Sequence, residues 1–352
     1  LADALRILVV DDSALYRQLV KNVLRDCAGV EVVGVAKSGE EALQLVGELA
    51  PDLLTLDVRM PGMDGIEVLR ELRRRRSPAK ALMLSSLTAA GAKVTTDALL
   101  EGAFDFILKP SSADAAANRR TLHDALAEKI EALRCSGGAR TSRAKASRGD
   151  AELIQPSDRF EAVLIGTSTG GPIALREVLP AFPEDFPLPV LVVQHMPAQY
   201  THSLAERLNE TSPLEVVEAC DGMTLEAGWA YIAPGGRHMK VLRRAGKPIL
   251  QITDEPQENG CRPAVDVLFR SAALVFGGKV IAVIMTGMGR DGVEGCRLLK
   301  QQGAFVIAEH ADTCVVYGMP KAVIDERLAD SVVPLDRIAT NVVRRVKRPL
   351  AT

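Results

Sequence analysis

Five predominantly apolar runs, at residues 7–10, 30–36, 53–56, 81–84 and 104–108, are separated by segments whose apolar residues return at helical spacing, such as Glu40-Glu41-Ala42-Leu43-Gln44-Leu45-Val46. A strand with one wet face alternates apolar and polar residues. Continuous apolar runs mark strands covered on both faces, and the intervening helices supply the cover. The first third of the chain is therefore expected to be α/β, with five parallel strands. The alternation resumes further on, with strands expected at 162–165, 189–194, 215–218, 229–233, 279–286, 304–308 and 331–333. Helices are expected at 173–179, 202–208, 265–276, 293–301 and 338–346, and segments 238–243 and 248–253 read as a hairpin joined through Ala245-Gly246-Lys247. This predicts a second, mainly parallel α/β domain.

Between the two, the stretch Ser136-Gly137-Gly138-Ala139-Arg140-Thr141-Ser142-Arg143-Ala144-Lys145-Ala146-Ser147-Arg148-Gly149 cannot bury a core and reads as a solvated tether. The expected division is 1–134, a connector at 135–157, and 158–352. A length of 352 residues suits two domains. Lys+Arg 43 against Asp+Glu 45 demands no nucleic-acid partner. No signal peptide or membrane-spanning run is expected. The cysteines (Cys27, Cys135, Cys220, Cys261, Cys296, Cys314) are scattered without a C-x-x-C pair. That spacing argues against a zinc site or a disulfide framework and suits a reducing cytoplasm.

Ligand sites in parallel sheets lie at the carboxyl ends of strands. In the first domain those ends carry Asp11-Asp12, Asp57, Ser85 and Lys109-Pro110. Taken singly, the aspartates suit helix caps. Together they make an oxygen-rich site for Mg²⁺ with a neutralising ammonium beside it, where an aspartate can attack phosphorus to form an acyl phosphate.

In the second domain Val163-Leu164-Ile165-Gly166-Thr167-Ser168-Thr169-Gly170-Gly171-Pro172 is a buried strand entering a glycine turn, followed by a helix with Pro172 in its first turn. Gly166-Thr167-Ser168-Thr169-Gly170 matches the G-x-S-x-G nucleophile elbow. A phosphate-cradling turn or a plain strand-to-helix corner reads equally well from these residues alone. Two further strand ends deliver His195, in Gln194-His195-Met196-Pro197, and Asp291, in Gly287-Met288-Gly289-Arg290-Asp291-Gly292. If they meet Ser168, the three form a Ser-His-Asp triad, with backbone N–H groups around Thr169 and Met288 as oxyanion donors. Otherwise His195 is a polar strand end and Asp291 a helix cap ahead of Gly292. The chain order Ser, His, Asp disfavours an α/β-hydrolase, which runs Ser, acid, His.

Val9-Val10-Asp11-Asp12-Ser13, Leu56-Asp57-Val58-Arg59-Met60-Pro61-Gly62-Met63-Asp64-Gly65, Leu84-Ser85-Ser86 and Leu108-Lys109-Pro110 resemble a response-regulator receiver domain. The resemblance implies a flavodoxin-like fold with Asp57 as phosphoacceptor and Asp11 and Asp12 holding Mg²⁺ beside it. It also implies Ser85 and Lys109 at the phosphoryl group, and a histidine kinase as donor. The second domain resembles the protein-glutamate methylesterases of bacterial chemosensory pathways (the CheB family). The resemblance rests on the Ser168, His195 and Asp291 stretches together with Tyr231-Ile232-Ala233-Pro234-Gly235-Gly236-Arg237-His238-Met239, Arg262-Pro263-Ala264-Val265-Asp266-Val267-Leu268-Phe269 and Val316-Tyr317-Gly318-Met319-Pro320.

That resemblance implies catalytic Ser168, His195 and Asp291, oxyanion donors at Thr169 and Met288, and no cofactor in this domain. The expected substrates are methylated glutamates on the cytoplasmic helices of chemoreceptors, with glutamine deamidation by the same chemistry and the receiver inhibiting until phosphorylated. A receptor-docking protein and a hydrolase serving a non-chemotaxis array are the alternatives. Glu309-His310-Ala311-Asp312 departs from the Gln-Asp-Glu-like run common in the family.

Overall fold

Strands β1 (Leu5–Val10), β2 (Val30–Ala36), β3 (Leu53–Asp57), β4 (Lys80–Ser85) and β5 (Asp105–Leu108) alternate with helices α1 (Ala14–Arg25), α2 (Gly39–Leu49), α3 (Gly65–Arg74), α4 (Ala89–Glu101) and α5 (Ala115–Gly137). The computed structural model describes residues 4–86, 88–137 and 160–346. The chain divides into two units, Leu1–Leu133 and Arg134–Thr352. Of the expected connector, residues 138–157 lie outside the described residues, and α5 runs to Gly137.

All five strands of the first unit are parallel, in the order β2-β1-β3-β4-β5. This is the doubly wound order in which a crevice opens where the winding reverses, between β1 and β3. Every residue of β3 is buried. Short polar residues start the helices: Ser13 accepts the N–H of Tyr16, Ser38 that of Glu41, and Asp64 forms a reciprocal capping box with Glu67. The expected runs fall inside these strands except at Phe104, one residue ahead of β5, and Asp57 and Ser85 are last strand residues rather than the first beyond.

The second unit contains β6 (Ala162–Thr167), α6 (Gly171–Val178), β7 (Val190–Gln194), α7 (Ala198–Asn209), β8 (Glu215–Glu218), β9 (Trp229–Ile232), β10 (His238–Arg244) and β11 (Lys247–Thr253). After these come α8 (Val265–Phe276), β12 (Val280–Ile284), α9 (Val293–Gln301), β13 (Phe305–Glu309), α10 (Met319–Asp325), β14 (Ser331–Val333) and α11 (Leu335–Val346). Seven parallel strands run β14-β13-β12-β6-β7-β9-β8, and β10 and β11 form a separate antiparallel hairpin. Helix α8 packs against both β6 and β10. Its Leu268 and Phe269 are fully buried with Met239, Val241 and Leu250 of the hairpin, each burial worth about 2 kcal/mol of transfer free energy.

Three differences from the expected elements have physical causes. The strand expected to reach Thr286 stops at Ile284. The Thr286 N–H goes to the Glu309 carboxylate and its hydroxyl to the Thr169 carbonyl, so a side chain takes the N–H that a continuing strand would give to its β13 neighbour. Helix α7 starts at Ala198, directly after Pro197, four residues earlier than its apolar spacing implied. The motif ending in Met319-Pro320 opens α10, a helix of seven residues too short to declare itself by periodicity.

Candidate functional site

Strands β12, β6 and β7 are neighbours in register, Ile284 opposite Gly166 and Thr167 opposite Gln194. The residues beyond their carboxyl ends therefore converge. Backbone bonds continue past the strands: Ser168 N–H donates to the Thr286 carbonyl at 3.0 Å and His195 N–H to the Thr167 carbonyl at 3.1 Å. Ser168, His195 and Asp291 thus stand at one edge of three adjacent strands. Gly166 makes the arrangement possible, since a Cβ there would lie 2.6 Å from Val265 at the start of α8.

The turn after β6 differs from a strained elbow. Ser168 is not among the residues with positive φ; the left-handed residue is Gly170, at φ 80°. Ser168 accepts the Gly171 N–H at its carbonyl, 2.8 Å away, and its side chain stays partly exposed. The hydroxyl is presented without stored backbone strain.

His195 Nε2 lies 2.8 Å from Asp291 Oδ2. Asp291 is 3% exposed and does cap a helix, though a different one from that expected. It accepts the N–H groups of Val265 (2.6 Å) and Asp266 (3.0 Å) at the start of α8, and Asn259 Nδ2 at 3.0 Å. Burial would push the Asp291 carboxyl up, but His195 and these N–H donors hold it below the usual carboxylate range. The neighbouring Asp266, buried and facing Asp291, is pushed up to about 6. The pair is driven apart, and the charge stays on Asp291. On His195, burial opposes the charged form, yet the Asp291 carboxylate and then the Cys261 thiol raise it to about 9.

Thr169 is buried beside Ser168. Met288 sits between Gly287 and Gly289 in the loop that lies against the serine, where a Cβ on Gly287 would come 2.8 Å from Ser168 Cβ. The Met288 N–H donates to no carbonyl among the described residues. Sequence reasoning missed four supporting residues. Gln194 donates to the carbonyls of Ser168 (2.9 Å) and His195 (3.0 Å), tying two strand ends together. Asn259 bridges Asp291 and Asp266. Buried Glu309 holds Thr286. Cys261 places Sγ 3.5 Å from His195 Nδ1. Asn259 carried a usable local signal, the Asn259-Gly260 turn pair, and Glu309 stood out only as a departure from the family's run.

In the first unit Lys109 Nζ lies 2.7 Å from Asp11 Oδ2 and 2.8 Å from Asp57 Oδ2. The same ammonium stands 4.4 Å from the centre of the Tyr16 ring. Burial raises the Asp57 carboxyl although Lys109 opposes the shift. Carboxylate oxygens of Asp11, Asp12 and Asp57 lie within 4.8 Å of one another. An all-oxygen donor set with one exposed member fits Mg²⁺, which keeps part of its water shell. A cavity of about 200 Å³ is lined by Asp57, Arg59, Ser85, Ser86 and Lys109. Ser85 Oγ accepts from Thr95 Oγ1 at 2.6 Å.

Residues 163–342 match the CheB methylesterase family, and residues 7–119 match the response regulator receiver domain. A protein-glutamate methylesterase/protein-glutamine glutaminase of Desulfotalea psychrophila is 46% identical across 97% of this chain and 99% of its own length. A protein of the same name from Thermotoga maritima is 42% identical across 97% and 98%. The crystal structure of the Thermotoga maritima CheB methylesterase catalytic domain aligns with a TM-score of 0.52 at 45% identity, covering 53% of this chain and 99% of that one. Among the described residues no helix is long and apolar enough to cross a membrane. With both regions matched in order and relatives aligned almost end to end, the chain belongs to the CheB methylesterase family and carries a receiver domain ahead of the methylesterase domain.

Proposed function

We propose that this chain hydrolyses methyl esters of glutamate side chains on the cytoplasmic helices of chemoreceptors, releasing methanol, and deamidates receptor glutamines by the same route. The observation carrying this reading is the His195–Asp291 pair, 2.8 Å apart at the ends of strands flanking the one that delivers Ser168. Asp291 holds Nε2–H, which leaves Nδ1 as the basic nitrogen. Ser168 Oγ attacks the ester carbonyl carbon and its proton passes to Nδ1. The oxyanion is met by the N–H groups of Thr169 and Met288, donors of a kind each worth ~10²–10³ in rate. Collapse expels methoxide, which leaves as methanol with the proton from His195. Water, deprotonated by His195, then cleaves the acyl-serine and restores the enzyme.

Residues 1–134 serve as receiver and 158–352 as catalytic domain, with Asp57 accepting a phosphoryl group from a histidine kinase in the cytoplasm. Asp11, Asp12 and Asp57 are the residues to hold Mg²⁺, which when bound supplies positive charge to the phosphoryl oxygens. Lys109 and Ser85 are placed to receive the new phosphate, and the added charge shifts a two-state equilibrium of the protein. The test is methanol release from a methylated receptor fragment, with and without acetyl phosphate and Mg²⁺. Release that rises with phosphodonor and disappears in Ser168→Ala is expected. Receptor binding without release by a folded protein would leave a docking role instead.

A further inference from the structure

Cys261 and His195 are 66 positions apart, so no sequence spacing links them. The fold nevertheless places Cys261 Sγ 3.5 Å from His195 Nδ1. A tight turn holds the thiol there: Glu258 and Cys261 exchange both backbone bonds (3.1 and 2.8 Å), and Asn259 and Gly260 take φ values of 53° and 74°. The turn is itself pinned. The Asn259 side chain reaches Asp291 and Asp266, and Glu258 pairs with Arg270, 2.6 Å between Oε2 and Nη2. Cys261 and His195 are both partly exposed, the histidine side chain by 12%.

A sulfur at ~2.3 Å and an imidazole nitrogen at ~2.0 Å from a tetrahedral ion stand ~3.5 Å apart. That is the separation already present. Thiolate with imidazole selects Zn²⁺ and its thiophilic neighbours over Mg²⁺ or Ca²⁺. The partner that orients a metal-binding histidine is also in place, because Asp291 takes the opposite ring nitrogen. The donor atoms of His195, Cys261 and Asp291 all fall within 4.8 Å of one another. Both Asp291 oxygens already accept backbone N–H groups, so that carboxylate supports the ring rather than entering the coordination sphere.

We propose that Cys261 Sγ and His195 Nδ1 form an inhibitory binding site for Zn²⁺. The thiol proton, and the Nδ1 proton wherever His195 is charged, leave to solvent; sulfur and nitrogen each donate a pair to the ion, and water fills the remaining positions. The inference rests on His195 Nδ1 acting as the base. An ion on that nitrogen removes the lone pair that would take the serine proton, and hydrolysis stops whatever the state of the receiver.

The experiment uses the full chain, reduced and chelator-treated. Co²⁺ serves as spectroscopic probe and buffered Zn²⁺ as inhibitor, with Mg²⁺ as the control cation. Wild type should show thiolate-to-cobalt absorption in the near ultraviolet that Cys261→Ala lacks. The Zn²⁺ concentration for half-inhibition of methanol release should rise at least ~10-fold in Cys261→Ala, each protein normalised to its own metal-free rate. Cys261→Ser repeats the comparison should the alanine variant fold poorly. Equal Zn²⁺ sensitivity in variant and wild type, or cobalt absorption that survives loss of Cys261, would overturn the proposal. The absorption measurement needs no turnover, so failure of the methylesterase reading is distinguishable from failure of the metal site.

Discussion

The Asp291 oxygen 2.8 Å from His195 Nε2 is the same oxygen that takes the Val265 N–H at 2.6 Å. The acid that orients the histidine is thereby the cap of α8, a helix buried along most of its length. Asp291→Asn keeps the shape but turns one accepting oxygen into a donor, facing either His195 together with the Val265 N–H or the Asp266 N–H together with Asn259 Nδ2. The expected result is a fall in kcat of on the order of 10³–10⁴ together with a lower melting temperature. Methanol release and thermal denaturation check the two halves. A variant that melts early but keeps its kcat would assign Asp291 to the helix alone.

Gly287 packs against the serine, and an added Cβ would lie 2.8 Å from Ser168 Cβ and 2.5 Å from Met319 Sδ. Methionine can move, whereas Ser168 is fixed by its bond to Thr286. Gly287→Ala should therefore displace the serine and the Met288 N–H together. The prediction is at least a ~10²-fold loss of kcat, the scale of one misplaced oxyanion donor, with the fold retained. Near-normal turnover in a well-folded variant would show that the loop yields instead.

The paired α/β organisation is legible in the sequence because buried parallel strands write themselves as apolar runs. The candidate residues are legible for the same reason: Ser168, His195 and Asp57 each end or follow such a run. What escapes is assembled across the fold. Asp291 precedes α9, and local pattern suggests that it caps that helix; it caps α8 instead, whose N-terminus lies 26 positions earlier. Gln194 reads as a strand terminus, yet its carboxamide joins two neighbouring turns. The departure at Glu309 is visible, but its burial beneath Thr286 is not, since a Glu closing a short strand is ordinarily exposed.

Lys109 sits 19% exposed between Asp11 and Asp57, which are 0% and 11% exposed at their side chains. Removing the ammonium in Lys109→Met leaves two buried carboxylates facing each other. The expected cost is on the order of 3 kcal/mol at pH 7. Asp57 is already raised by burial, so loss of the cation raises it further, and acidification should recover stability by protonating it. Denaturation at pH 7 and pH 5 reads this directly. A variant as stable as wild type at pH 7 would mean that Lys109 contributes no net stability there.

Glu309 is fully buried, with Oε2 accepting the Thr286 N–H at 2.8 Å and Oε1 lacking a hydrogen-bond partner among the described residues. It lines a cavity of about 300 Å³ with Glu177 and Asp336, behind the Gly170 turn. Burial above all, reinforced by Glu177, raises its carboxyl from 4.5 to about 7. An acid raised in the folded state binds more protons there than when unfolded, so stability falls as pH climbs from about 4.5 to about 7 and stays reduced above. The interval corresponds to a penalty on the order of 3 kcal/mol. Glu309→Gln can still accept the Thr286 N–H but cannot ionise. Its melting temperature should exceed that of wild type at pH 8, and the gap should shrink by pH 5. A constant offset between the two proteins across that range would assign the change to packing, with no part played by the buried charge.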